Sequence, residues 1–183
     1  DNFAKTTIDV NFYETQKHFQ ELLPEYGYIL DFGCGSGRDT KYFLEQGFYV
    51  DATDGSEEMC HIASNYTGIQ VRRLLFEELD ENKKYDGIWA CSSILHLPKN
   101  ELKAVFMKML KALKEDGIIY TSFKYGDFEG DRNGRYFTDF TEKTFEEFVD
   151  EIDNLKLKEE WITGDVRPGR GEEKWLNVIL QKH

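Results

Sequence analysis

Short apolar runs alternate with amphipathic stretches along most of this chain, and the two periods separate cleanly. Tyr28–Phe32, Phe48–Asp54, Val71–Leu75, Tyr85–Ala90 and Gly117–Phe123 have the β-branched and aromatic content of strands. Between them, helical spacing predicts helices over Asn11–Leu23, stopped by Pro24, over Arg38–Gln46, closed by Gly47, and over Glu57–Ser64. In Lys99–Leu113 the apolar positions Leu102, Val105, Phe106, Met109, Leu110 and Leu113 recur at three and four. Glu142–Ile152 repeats the pattern with Phe145, Phe148, Val149 and Ile152. Leu155–Ile162 and Lys174–Gln181 close the chain as two strands. Their short connection around Gly171 suits a hairpin better than a crossover helix. Strand–helix alternation of this kind predicts a doubly wound α/β sheet. No linker or repeat interrupts it, so residues 1–183 read as one domain, with 1–24 as an N-terminal helix and candidate lid.

Composition narrows the class. A chain of 183 residues with 40% hydrophobic and 15% aromatic content can bury a substantial core and is not disordered. A net charge of -12 argues against a nucleic-acid backbone or an anionic membrane as partner, since both require a basic face. Three cysteines without paired spacing suggest free thiols in a reducing compartment, and a cytoplasmic location is expected. No apolar run reaches the roughly 20 residues of a membrane-spanning helix. Neither the spacing nor the residue types suggest a metal site, and nothing in the sequence fixes the oligomeric state.

The candidate chemistry is concentrated in Tyr28-Ile29-Leu30-Asp31-Phe32-Gly33-Cys34-Gly35-Ser36-Gly37-Arg38-Asp39. A strand runs into three glycines spaced two apart and a helix follows, the arrangement that places ligands at the carboxyl ends of parallel strands. In a dinucleotide fingerprint, G-x-G-x-x-G, the third glycine would fall at Arg38. A phosphate-binding loop would need a Lys-Ser or Lys-Thr that is absent here. What remains is D-x-G-x-G-x-G, with Asp31 as its acid. A second carboxylate, Asp54, ends the next strand where a ribose-binding acid is placed, and it could accept from two neighbouring hydroxyls. Gly55 and Ser56 turn the chain into the next helix. Met59 in its first turn suits either an adenine face or ordinary packing.

This pattern resembles the first motif of class I S-adenosylmethionine-dependent methyltransferases, and the resemblance extends over essentially everything from Tyr28 onward. It implies a three-layer Rossmann-like fold with a mostly parallel seven-stranded sheet and an antiparallel last strand. It also implies S-adenosyl-L-methionine as cofactor, held by Asp31, Gly33, Cys34, Gly35, Gly37, Asp54, Gly55, Ser56 and Met59. The family's adenine loop corresponds to Leu75-Phe76-Glu77-Glu78-Leu79. Leu75 stands where many members carry Asp, leaving the Phe76 amide and the Glu77 carboxylate as substitutes. Ala90 and Cys91, at the end of the fourth strand, would give backbone contacts to the methionyl part. His96, just beyond, is either a proton acceptor for the incoming nucleophile or a loop-positioning residue.

Four of the seven arginines lie in two stretches read as loops, Gly130–Phe137 and Asp165–Gly171, both expected at the ligand edge. They either pair with neighbouring acids or, with Lys124 and Tyr136, bind a small anionic acceptor through Arg135 and Arg167. The strings around them resemble small bacterial methyltransferases of the TehB tellurite-resistance type, which implies a small acceptor. Methyl transfer by direct in-line displacement is the leading reading. The alternative is a catalytically silent cofactor-binding regulatory module.

Overall fold

The computed structural model describes residues 13–164, 169 and 173–183. Its main sheet has seven strands. In chain order they are β1 (Tyr28–Phe32), β2 (Tyr49–Asp54), β3 (Arg72–Arg73), β4 (Tyr85–Ala90), β5 (Leu113–Lys124), β8 (Leu155–Gly164) and β9 (Lys174–Lys182). They lie in the order β3-β2-β1-β4-β5-β9-β8. Strands β1 to β5 pair in parallel, and β9 runs antiparallel to both β5 and β8. The sheet is therefore mostly parallel with its last strand reversed, as the family resemblance implies. Strands β6 (Glu129–Arg132) and β7 (Arg135–Thr138) form a separate two-stranded ribbon.

Alternation along the strands builds a core on each face. Leu30 and Phe32 of β1, Ile88 and Ala90 of β4, and Ile119 and Phe123 of β5 point to one side. There they meet helix α4 (Lys99–Ala112) through Leu102 and Phe106, and helix α5 (Glu142–Asp150) through Phe145 and Phe148. Ile29, Trp89, Ile118 and Tyr120 point to the other side. Here they meet Phe19 of α1 (Tyr13–Glu21) and Phe43 of α2 (Arg38–Glu45). Helix α3 (Glu57–Thr67) packs Cys60 and Ala63 against Ala52 and Val71. Sheet plus two helical layers makes three layers. Burying a Phe or Leu side chain at such positions is worth about 1.5–3 kcal/mol each.

Several boundaries differ from the sequence reading. β3 is two residues long, because the Val71 amide is captured by the Ser64 hydroxyl instead of a strand partner. β5 begins at Leu113, ahead of Gly117: Leu113 pairs with Tyr85, and a register shift then accommodates Asp116 at φ 64°. The largest difference is the β6–β7 ribbon over residues read as a loop. Asn133 and Gly134, at φ 52° and 82°, turn it. Asn-Gly with both residues at positive φ is the preferred two-residue hairpin turn, so this signal stood in the sequence.

Candidate functional site

Parallel pairing brings the carboxyl ends of β1, β2, β4 and β5 to one edge, and the glycine loop crosses that edge. The loop is tied down by main-chain bonds: the amides of Gly33 and Cys34 both donate to the Thr53 carbonyl, at 3.0 and 2.8 Å. The three glycines then do different work. A Cβ on Gly33 would stand 2.6 Å from Ser93 Cβ, and one on Gly37 would stand 2.8 Å from Thr67 Cγ2. Those two are glycines because protein packs against them. A Cβ on Gly35, at φ +57°, would meet no atom of the described residues within 4 Å. The main chain at Gly35 thus looks onto open space at the ligand edge, where a bound molecule can lie against it.

Asp54 organises that space. One carboxylate oxygen accepts from the Gly35 amide and the other from the Ser56 amide, both at 2.9 Å. Each oxygen keeps lone-pair capacity for a further donor. Ser56 caps α3 by accepting from the Met59 amide at 3.2 Å, so Asp54, Gly55, Ser56 and half-buried Met59 form one connected turn. A Cβ on Gly55 would touch the exposed Leu75 at 3.4 Å, which brings the turn after β2 to the segment after β3. In that segment Phe76 packs edge-on against Phe32 with ring centroids 4.8 Å apart, beside Gly33. Glu77 is exposed, and the neighbouring Glu78 carboxylate caps the turn at the Leu75 amide, 2.8 Å away.

Beneath the loop lies a buried ionic cluster that the sequence reading missed. Asp39 accepts from Gln16 Nε2 at 2.5 Å, from Arg38 Nε and Nη2 at 2.9 Å each, and from Trp89 Nε1 at 2.8 Å. Asp31 is 2% exposed and accepts from the Thr40 hydroxyl at 2.6 Å. Burial, reinforced by the Asp39 charge, pushes the Asp31 carboxyl up to about 8. Cys34 is half-buried in the loop, and burial holds its thiol well above the usual range. Burial likewise pushes the Cys91 thiol up to about 12, which leaves neither cysteine as a thiolate nucleophile. Ala90 is fully buried, with its carbonyl accepting from the Thr121 hydroxyl at 2.9 Å.

The other half of the edge holds the expected acceptor residues. Lys124 ends β5, opposite Trp175 of β9. Its ammonium lies 5.2 Å from the Phe137 ring centroid and 5.9 Å from that of Trp175, and pairs with Glu173 at 3.4 Å. Arg132 stands 4.9 Å from the same Phe137 ring and 4.6 Å from Phe128, and pairs with Asp139 at 2.8 Å. Rings and cations therefore alternate from Phe128 through Arg132, Phe137 and Lys124 to Trp175, which pins the β6–β7 ribbon to the sheet edge. Tyr136 donates its hydroxyl to Glu129 at 2.7 Å. Arg135 stands exposed at the ribbon's turn. Arg167 lies outside the described residues.

His96 joins the ribbon to the segment after β4. Its Nδ1 lies 2.8 Å from the Tyr136 carbonyl, and its ring packs edge-on against Phe137 at 4.6 Å. A carbonyl can only accept, so Nδ1 carries the proton and Nε2 the lone pair. Burial, with the Arg135 and Lys124 charges, holds this imidazole below its ordinary value and therefore neutral. Positioning the ribbon is thus a role its geometry fills directly.

Comparison with known proteins points one way. Residues 29–117 match the family model of a methyltransferase domain. A Bacillus subtilis protein named as a methyltransferase, YqeM, is 32% identical over 122 residues, covering 61% of this chain and 49% of its own length. The chain thus spans about half the length of that relative. Among solved structures, the Burkholderia thailandensis 1,6-didemethyltoxoflavin N1-methyltransferase, with bound 1,6-didemethyltoxoflavin and S-adenosylhomocysteine, aligns with a TM-score of 0.77 at 25% identity. The alignment covers 93% of this chain and 77% of that one. A TehB-like methyltransferase of Corynebacterium glutamicum shares the fold, with a TM-score of 0.70 at 19% identity over 94% and 89% of the two chains.

Proposed function

We propose that this chain, a class I S-adenosylmethionine-dependent methyltransferase by family and fold, moves a methyl group from S-adenosylmethionine to a small acceptor held between the glycine loop and the β6–β7 ribbon. The observation that carries the reading is the open main chain at Gly35 beside the Asp54 carboxylate, with the buried Asp31 in the cluster beneath the loop. A pyrophosphate would meet acids there, whereas a sulfonium and an ammonium would meet their counter-charges. When bound, the cofactor supplies an electrophilic methyl carbon. The protein's part is alignment: the acceptor's lone pair forms the new bond as the carbon–sulfur pair returns to sulfur. Asp54 would hold the ribose hydroxyls. Gly33, Cys34, Gly35 and Gly37 supply the loop, Gly55, Ser56 and Met59 the turn beside the adenosine, Phe76 and Glu77 the adenine side, and Ala90 and Cys91 the methionyl side.

On the acceptor side, Lys124, Arg135, Tyr136 and Arg167 favour a small anion, with His96 holding the ribbon in place. An anion would compete with Glu173 for Lys124, while Arg135 is exposed and ready to pair. Incubation of methyl-labelled cofactor with pooled small metabolites tests this reading, since one anionic product should gain one labelled methyl. For that acceptor, Arg135→Ala should raise KM by ~10-fold or more, the worth of one charge-assisted pair, and leave cofactor affinity unchanged. Arg135→Lys should restore little, because a point charge lacks the guanidinium fork. Tight cofactor binding without any labelled product would support the silent regulatory module instead.

A further inference from the structure

Two buried carboxylates and one partly buried guanidinium meet under the glycine loop. Asp31 is 2% exposed and Asp39 is 7% exposed. Arg38 is committed to Asp39 through two nitrogens at 2.9 Å, and Asp39 takes further donors from Gln16 and Trp89. Asp31 receives the Thr40 hydroxyl. The other groups acting on it are mostly of the wrong sign: Asp39 from α2 and Asp54 from β2 repel a charge there, and Arg38 offsets them only in part. The nearby thiols of Cys34 and Cys91 stay neutral through their own burial and add no positive charge. An ionised carboxylate at this depth needs a counter-charge, and among the described residues the cluster is one cation short.

We propose that Asp31 stands protonated in the free protein and gives up that proton when the cationic methyl donor binds against the glycine loop. The inference rests on the cofactor reading above. The charges balance: the acid loses one proton to solvent and becomes a carboxylate, and the arriving cofactor, with an ammonium, a sulfonium and one carboxylate, brings one net positive charge. Binding is therefore linked to pH at Asp31. The linkage favours the cofactor more strongly as pH rises toward the acid's free value of about 8, and it fades above that.

Calorimetric titration of S-adenosylmethionine at pH 6.5, in buffers of different ionisation enthalpy, counts the protons directly. At that pH the cofactor's own amine, with an ordinary value of about 7.7–8.0, is already protonated and contributes almost nothing. The expected result is release of about one proton per cofactor bound, disappearing in Asp31→Asn, whose amide oxygen can still accept from Thr40. Should that variant bind too weakly to measure, the free proteins give a second readout. A proton retained in the fold but lost on unfolding makes stability fall as pH rises from 5 to 8. Asp31→Asn should then flatten the pH dependence of the melting temperature across that interval. Cofactor binding without proton release at pH 6.5, or equal release in Asp31→Asn, overturns the proposal and leaves the cofactor reading intact. Absence of any cofactor binding overturns both.

Discussion

Asp54→Ala should weaken S-adenosylmethionine binding by ~10- to 150-fold, the factor that corresponds to roughly 1.5–3 kcal/mol for hydrogen bonds to a charged group. The loss has two sources on the same side chain. One is removal of the acceptor proposed for both ribose hydroxyls. The other is loss of the ties to the amides of Gly35 and Ser56, both 2.9 Å long, that hold the loop and the turn in register. Asp54→Asn keeps one acceptor oxygen and should fall between wild type and Asp54→Ala. Calorimetry of the three proteins measures this order. Equal affinities would move the ribose contact away from β2.

Gly35→Val should abolish cofactor binding in a protein that still folds. No atom of the described residues lies within 4 Å of the position its Cβ would take, so the side chain enters space proposed for the ligand. The φ of +57° adds strain of about 1–2 kcal/mol for a non-glycine residue, which a domain of this size tolerates. Gly33→Ala should behave in the opposite way. Its Cβ would lie 2.6 Å from Ser93 Cβ, so the melting temperature should fall first and binding only as a consequence. Melting curves and titrations on both variants separate a ligand-facing glycine from a packing glycine. Normal cofactor affinity in folded Gly35→Val would remove the glycine loop from the site.

Local signals account for what the sequence made legible. Tyr28–Phe32 and Tyr85–Ala90 have the same limits in sequence and structure because each is a short strand rich in aromatic and aliphatic residues bounded by turn residues. The Gly-Cys-Gly-Ser-Gly run marked the loop, though its spacing gave no sign that only Gly35 faces open space. That distinction depends on Ser93 and Thr67, which lie far along the chain and reach the loop only through the fold. The same holds for Asp39: its partners Gln16 and Trp89 are 23 and 50 residues away, and no pattern along the chain links them. On the acceptor side, charge was legible and its use was not. The sequence marks Lys124 and Arg132 as cations at the ligand edge, but not that Lys124 pairs with Glu173 and Arg132 with Asp139, each stacked on aromatic rings. The ribbon itself was legible in Asn133-Gly134, but the density of charge around that pair read as a loop.

Titration of the wild-type protein with S-adenosylmethionine, S-adenosylhomocysteine and NAD tests the central claim most directly. The glycine loop, with Asp54 beside it and Asp31 buried beneath it, is predicted to bind the first two and to give no measurable heat with NAD. Its pyrophosphate would face carboxylates in place of the helix-end amides of a dinucleotide site. Binding of NAD, or no binding of either S-adenosyl compound, would contradict the account.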